Sequence, residues 1–145
     1  MRRLALLLCP ALLACGGETD MESPEAAVVP QTITYNDIEA NNLFGAGCAY
    51  SSGTSIAPIV LAMADEAVMK IDGRIHRFQI DPESEGTRLV SRSRYLAEDR
   101  VLFLTVEGEG TPAGEETMNY TGSVHLLDGA GAELFTTTGT VQCGS

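Results

Sequence analysis

The stretch that decides the fold is AVMKIDGRIHRFQI, residues 67–80. Two runs of β-prone residues, 67–71 and 74–80, flank the dipeptide Asp72-Gly73, and such a dipeptide is a preferred centre of a two-residue hairpin turn. In the second run, apolar and polar residues alternate imperfectly, as in a strand that is buried on one face. The segment therefore predicts an antiparallel β-hairpin.

Similar runs on both sides of this hairpin predict further strands, separated by turn-forming residues such as Asp128-Gly129-Ala130-Gly131. Ahead of them, Asn36-Asp37 can cap a brief helix over residues 38–43 that ends at Gly45. The candidate strands are residues 32–35, 56–62, 67–71, 74–80, 87–95, 101–107, 120–127 and 134–142. Residues 108–117 form the longest loop, which we expect to be mobile and exposed.

Seven or eight short strands joined by turns predict a single, mainly β domain with one short N-terminal helix. The strand pattern fits either an antiparallel β-barrel or a sandwich. A closed barrel would leave no exposed strand edges, so closure has a physical advantage.

The first 15 residues have the composition of an export signal. The basic pair Arg2-Arg3 precedes an apolar run over residues 4–13, which is shorter than the roughly 20 residues needed to span a bilayer. The run ends in Leu12-Leu13-Ala14-Cys15, which resembles the lipobox of bacterial lipoproteins. Leu13 is larger than the residue usual there, and the alternative is an ordinary cleavage site followed by an unrelated cysteine.

The lipobox resemblance implies three parts: a signal peptide (1–14), a lipidated tether (15–31) and a β domain (32–145). It implies acyl chains such as palmitate on Cys15, and two or more chains anchor a protein stably to a lipid bilayer. Gly16, rather than aspartate, implies sorting to the outer membrane, facing the periplasm, in a Gram-negative cell. Residues 16–31 are acidic, contain proline and carry few large apolar groups, as a flexible segment does.

The sequence has four cysteines. Cys9 lies within the predicted signal and Cys15 is the predicted lipidation site, which leaves Cys48 and Cys143. Export places them where no reducing system protects thiols, so we expect them to form a disulfide that joins the first and last elements of the domain. A redox or nucleophilic cysteine is the alternative. It is disfavoured because there is no Cys-x-x-Cys spacing and no histidine close in sequence.

The net charge of −11 disfavours nucleic acid and anionic lipid as partners. Electrostatics favours a cationic protein, a metal ion or a positively charged small ligand, although the charge also serves solubility alone. A cluster of arginines, Arg74, Arg77, Arg88, Arg92, Arg94 and Arg100, departs from this acidic background, and four of them, Arg74, Arg77, Arg92 and Arg94, are the candidate site residues. They form a candidate anion-binding patch if their strands pair, and the alternative is that they pair with neighbouring carboxylates.

Motifs for catalysis or metal binding are absent from the sequence. It has no Gly-x-Ser-x-Gly and no His-Glu-x-x-His, and its two histidines, His76 and His125, have no further ligands at metal-site spacing. Residues 81–86 are similar to the opening of a calcium loop, but Arg92 stands where the closing glutamate belongs. We therefore expect no catalytic residue, no metal and no cofactor, and a protein that is not an enzyme.

The stretch Ser91-Arg92-Ser93-Arg94-Tyr95 resembles a small-Gly-Ala-Arg-Tyr stretch of the membrane-bound c-type lysozyme inhibitors, which are acidic, lipid-anchored β-barrels with disulfides. The match is confined to the final Arg-Tyr pair and the general layout, so no inhibitory residue is carried over. Three functions stay open: a membrane-anchored binding or structural module of the envelope, an inhibitor of a basic periplasmic enzyme such as a lysozyme, and an enzyme that uses acidic residues.

Overall fold

The computed structural model describes residues 26–145. The predicted signal peptide, the lipidation site Cys15 and most of the predicted tether lie outside the described residues. The described chain forms one helix and eight strands: α1 Tyr35–Asn41, β1 Gly47–Ser51, β2 Pro58–Met63, β3 Glu66–Ile71, β4 Arg74–Ile80, β5 Arg94–Leu96, β6 Arg100–Pro112, β7 Thr117–Asp128 and β8 Glu133–Gly144.

The eight strands close into one antiparallel barrel. Each strand pairs with the next along the chain, and β8 returns to pair with β1, where Cys48 lies opposite Cys143 and Ala49 lies opposite Gln142. The predicted class is confirmed: a mainly β domain with one short helix and one disulfide. Of the two predicted architectures, the chain adopts the barrel.

The hairpin predicted over residues 67–80 is confirmed as β3 and β4. Asp72 and Gly73 have φ values of 51° and 73°, and the type I′ turn requires a positive φ at both central residues. Asp is one of the few residues with a side chain that adopts this conformation at small cost, and Gly adopts it freely. The turn is therefore determined locally by its own two residues.

The helix begins three residues earlier than expected, because Thr34 and not Asn36-Asp37 caps it. The Thr34 N–H donates to Asp37 Oδ2 at 2.7 Å, and the Asp37 N–H donates to Thr34 Oγ1 at 3.3 Å. This reciprocal pair is a capping box, which satisfies two N–H groups at the start of the helix. The helix ends at Asn41, and the next residue, Asn42, has a φ of 54°.

Several segments differ from the prediction. The strand expected at 32–35 does not form, because Thr34 caps the helix that begins at Tyr35. The strand expected at 87–95 is reduced to Arg94–Leu96, because the preceding residues form a turn that makes its own hydrogen bonds. The loop expected at 108–117 is mostly strand, because a bulge between Glu107 and Thr111 lets β6 resume pairing with β7. The strand β1, Gly47–Ser51, was not predicted, since its small residues have low β-propensity.

Apolar side chains fill the barrel. The largest that are fully buried are Tyr50, Tyr95, Phe78, Met69, Leu102, Leu104 and Leu126. A second, smaller cluster lies outside the barrel, where the helix segment covers β2, β3 and β4; it contains Ile33, Leu43 and Val68, with Ile38, Leu61, Met63 and Ile75 packed against it. β2 and β3 are therefore covered on both faces, which explains their mostly apolar sequences.

The barrel has two ends that differ in their connections. The described chain joins the barrel where the Val28 N–H donates to the Leu134 oxygen at 2.9 Å and the Gln31 N–H donates to the Lys70 oxygen at 2.8 Å. We call this end the near end; it also carries the turns at 52–57, 72–73, 97–99 and 129–132. The helix segment then leads to the opposite, far end, which carries the connections at 42–46, 64–65, 81–93 and 113–116.

Candidate functional site

The four arginines of the predicted anion-binding patch do not share one surface. Arg74 is exposed at the near end, at the first residue of β4. Arg77 lies three residues further along the same strand and so points to the opposite face. It forms an ion pair with Glu66, and its Nη2 donates to the Asn41 oxygen at the end of the helix at 2.9 Å.

The other two arginines hold the far-end connection, residues 81–93. Arg94 Nε donates to Asp81 Oδ2 at 2.6 Å, and Arg92 Nη1 donates to the Ser84 oxygen at 3.1 Å. The Asp81 carboxylate also accepts the Glu83 N–H, and this bond, together with Arg94, lowers the pKa of Asp81. Arg77 and Arg94 thus have carboxylate partners, and binding of an external anion stays a prediction.

The disulfide joins Cys48 and Cys143, which lie directly opposite each other on β1 and β8. Both cysteines are buried in the interior near the far end. The bond therefore holds the two chain-terminal strands together at the place where the barrel closes. The far-end connection covers the disulfide, since Ser91 Oγ lies 3.3 Å from Cys48 Sγ.

Residues 86–92 form a compact turn within this connection. The Thr87 N–H donates to the Ser91 oxygen at 2.9 Å, and the Ser91 N–H donates to the Arg88 oxygen at 3.0 Å. The buried Ser91 hydroxyl also donates to the Arg88 oxygen at 2.7 Å. All of these bonds join residues of the same segment, and Leu89 and Val90 lie at the tip of the turn, between Arg88 and Ser91.

Arg88 fastens this turn to the β6–β7 hairpin. Its Nη2 donates to the Gly108 oxygen at 2.9 Å, and its guanidinium lies 5.1 Å from the centre of the Tyr120 ring, a cation–π distance. The ring occupies space that only glycine leaves open at position 110, where an added Cβ would lie 2.5 Å from Tyr120 Cε1. We did not predict this contact. The sequence signal for it was Gly108-x-Gly110 within a strand, since glycine there indicates a bulge or a close approach of another group.

Leu89 and Val90, which we call the tip, are unusual in two respects: Leu89 has a backbone conformation that is rare for leucine, and both apolar side chains are exposed. Leu89 has a φ of 48°, which is unfavourable for a bulky side chain at a position where Gly, Asn or Asp is usual. Its side chain is 61 % exposed and that of Val90 is 39 % exposed. With Ala64 from the neighbouring β2–β3 turn, the tip borders a surface hollow of about 450 Å³.

The charged residues near the tip have both signs. Arg88 directly precedes the tip, and Arg92 lines the same hollow as Leu89 and Val90. Glu83 and Glu85 are exposed in the same connection but line a different hollow, together with Arg94. The far end therefore carries exposed carboxylates, whereas two arginines flank the tip itself.

The buried hydroxyls below the turn contribute to packing. Burial raises the pKa of Tyr50 and outweighs the opposite effect of the Thr87 and Ser91 hydroxyls, and within residues 26–145 the Tyr50 hydroxyl makes no hydrogen bond of ordinary geometry. Burial likewise raises the pKa of Tyr95, whose hydroxyl accepts the Arg92 N–H at 2.8 Å. Both hydroxyls stay protonated at neutral pH.

The two histidines lie on β4 and β7. A ring nitrogen of His125 is 2.9 Å from Glu133 Oε2. In the part of the chain that the structure describes, no three His, Cys, Asp or Glu side chains are grouped closely enough to hold a metal ion.

The described helix has seven residues. Over residues 26–145 no helix is both long enough and apolar enough to cross a membrane. No protein-family model, no curated protein and no solved structure matches this chain.

Proposed function

We propose that this protein is a lipid-anchored, non-catalytic binding module of the bacterial envelope. The anchor follows from the lipobox-like Leu12-Leu13-Ala14-Cys15. The observation that carries the binding role is the opposite placement of the two functional parts: the chain joins the barrel at the near end, at Val28, while the apolar tip lies at the far end. An anchored molecule would thus hold its tip away from the membrane.

The filled interior supports a role without catalysis. A catalytic site needs a concave, partly enclosed volume in which several polar groups converge. Here the barrel interior is occupied by apolar side chains, and the buried carboxylate Asp81 is bound to Arg94. The glutamates of the far end are exposed, where their charge is available to a partner rather than to an enclosed substrate.

A second candidate is an inhibitor of a basic periplasmic enzyme such as a lysozyme. It is supported by the net charge of −11, since complementary charge accelerates association with a basic protein. The test measures lysis of a bacterial suspension by purified lysozyme with and without this protein. Loss of lysis supports the inhibitor, whereas full lysis with the protein at micromolar concentration rules it out.

The anchor is tested by the intact mass of the protein extracted from membranes. We expect the mass of the chain that begins at Cys15, increased by its acyl groups. Cys15→Ser should accumulate as an unprocessed precursor, while the matched control Cys9→Ser should be processed normally. If Cys15→Ser is still cleaved and membrane-bound, the lipobox interpretation is wrong.

A further inference from the structure

We infer that the near end of the barrel rests on the lipid bilayer through an uncharged surface from which Val29 and Ile56 project. The inference deepens the proposed function and rests on it, because the predicted acylation of Cys15 is what brings the chain to a bilayer. The partner is the zwitterionic headgroup region of that bilayer. In this orientation the far end, with the Leu89–Val90 tip, faces away from the membrane.

The uncharged surface consists of three mostly exposed stretches of the near end that contain no charged residue, although 20 % of the whole sequence is charged. They are residues 26–30, the turn 52–57 and the turn 129–132. The Val28 N–H donates to the Leu134 oxygen at 2.9 Å, and the turn 129–132 leads directly into β8. The Gly53 N–H donates to the Thr138 oxygen of the same strand at 2.8 Å. The three stretches are therefore neighbours on one side of the near end.

The most exposed large apolar side chains of this surface are Val29 and Ile56. Val28 packs against the barrel core, whereas the adjacent Val29 is 80 % exposed. Ile56 is 94 % exposed in the turn 52–57. Single exposed apolar residues are common on protein surfaces, so the exposure of these two is informative only because of where they lie. At a bilayer interface, burial of such side chains removes apolar area from water and strengthens the attachment of an anchored chain.

The two side chains lie at the end of the barrel to which the predicted anchor leads. Ala26 lies 11 positions after Cys15. These positions span at most about 40 Å, at about 3.6 Å per residue in a fully extended chain. Since the chain then joins the barrel at Val28, the near end is the part of the domain that an acylated Cys15 holds next to the bilayer.

The charges of the near end select the kind of lipid. Two carboxylates flank the turn 129–132, and both have partners. Asp128 Oδ1 accepts the Ala130 N–H at 2.9 Å. Glu133 Oε2 lies 2.9 Å from a ring nitrogen of His125. The other charged side chains of this end have both signs and lie outside the uncharged surface: Lys70, Asp72, Arg74, Glu98, Asp99 and Arg100. Carboxylates are in excess, so anionic lipid is repelled and a zwitterionic headgroup is favoured.

The first experiment uses tryptophan fluorescence, because the sequence contains no tryptophan and a single introduced one reports on its own surroundings. Ile56→Trp places the reporter on the uncharged surface. Val90→Trp is the matched control at the far end, where Val90 is 39 % exposed. Each full chain is held through its acyl groups in vesicles of phosphatidylcholine, part of which carries bromine as a short-range quencher. The fluorescence of Ile56→Trp should fall at least about twofold relative to unbrominated vesicles, while that of Val90→Trp should stay unchanged.

Equal quenching of the two variants, or no quenching of Ile56→Trp, overturns the inference even when the acyl mass on Cys15 supports the anchor. A shift of the Ile56→Trp emission to shorter wavelength without quenching also overturns it, since the uncharged surface would then pack against protein. If the mature mass carries no acyl groups, the anchor has failed, and the vesicles are added to the unacylated chain instead. Quenching of Ile56→Trp alone then still supports the contact, whereas its absence overturns it.

The second experiment removes the two apolar side chains with Val29→Ser and Ile56→Ser. In phosphatidylcholine vesicles, amide hydrogen exchange at residues 52–57 should be at least about threefold faster in this variant than in the unmodified chain, because the lipid contact is lost. Exchange at residues 86–92 of the far end is the internal control and should be the same in both proteins. Equal exchange at residues 52–57, or faster exchange at both ends, overturns the inference.

Discussion

The turns at the near end and the turn at residues 86–92 of the far end are stabilised in different ways. At the near end, Asp72-Gly73 supplies the two residue types that a tight turn requires, and Asp128 Oδ1 accepts the N–H groups of Ala130 and Ala132. At the far end, Leu89 adopts a positive φ that its residue type disfavours, within a turn that makes its own hydrogen bonds. Contacts with distant residues are added through Arg88 and Ser91.

This difference suggests that the far-end turn depends more on the closed barrel than the near-end turns do. A near-end turn has residue types that suit its conformation and should keep its shape whenever its strands are paired. The far-end turn should lose its shape more readily when the disulfide or the β6–β7 hairpin is disturbed, because contacts with these distant elements offset the unfavourable φ of Leu89. Its stability is therefore a property of the whole fold, and variants at the two ends should differ accordingly.

The largest expected effect comes from removing the disulfide with Cys48→Ser and Cys143→Ser. The bond links residues that are 95 positions apart, and its loss should lower the free energy of unfolding by about 3–5 kcal/mol. Urea unfolding measures the loss. Amide hydrogen exchange should increase more at residues 86–92 than at residues 71–74, and equal increases would contradict the comparison.

Exchanging the residue types of the two turns should have unequal effects on stability. Gly73→Leu places a side chain at a φ of 73° and should lower the free energy of unfolding by about 1–2 kcal/mol. Leu89→Gly relieves the strain at a φ of 48°, but it also makes the unfolded chain more flexible, so its net effect should lie within about 1 kcal/mol of zero. If both variants lose stability equally, Leu89 is not strained.

Arg88→Ala should lower the free energy of unfolding by about 1 kcal/mol, because it removes the cation–π contact with Tyr120 and the bond to the Gly108 oxygen. Limited proteolysis should then cleave within residues 86–92. Arg74→Ala is the control at the near end, and its stability should change by less than about 0.5 kcal/mol. Similar losses in both variants would mean that Arg88 does not fasten the turn.

The smallest expected effect is the dependence of stability on acid. Lys70, with Thr34, lowers the pKa of Asp37 to about 2, below the value of about 3.9 in an unfolded chain. The ionised form therefore stabilises the fold fully above pH 4, and this stabilisation is lost as the pH falls through 2. Asp37→Asn should show a flatter stability curve over this range. The exposed Glu39→Gln is the control and should follow the unmodified chain, and a curve as flat as that of Asp37→Asn would contradict the assignment.

Much of the fold could be predicted because its signals are local. The hairpin at Asp72-Gly73 and most of the strands follow from turn residues and β-prone runs, and the disulfide follows from the count of cysteines under export. The arginine patch could not be judged in the same way. Whether Arg77 and Arg94 bind an external anion depends on Glu66 and Asp81, which reach them only through strand pairing and the far-end connection.

The sequence by itself determined the class of the domain and its disulfide, and the lipobox-like segment predicts membrane anchoring. These depend on residue types at short spacing, whose conformational preferences act before the chain is folded. Only the tertiary structure decided that the sheet closes into a barrel and that Leu89 and Val90 project from the end opposite Val28. Closure and projection depend on contacts between distant residues, such as Arg88 with Tyr120, and these exist only when all eight strands are in register.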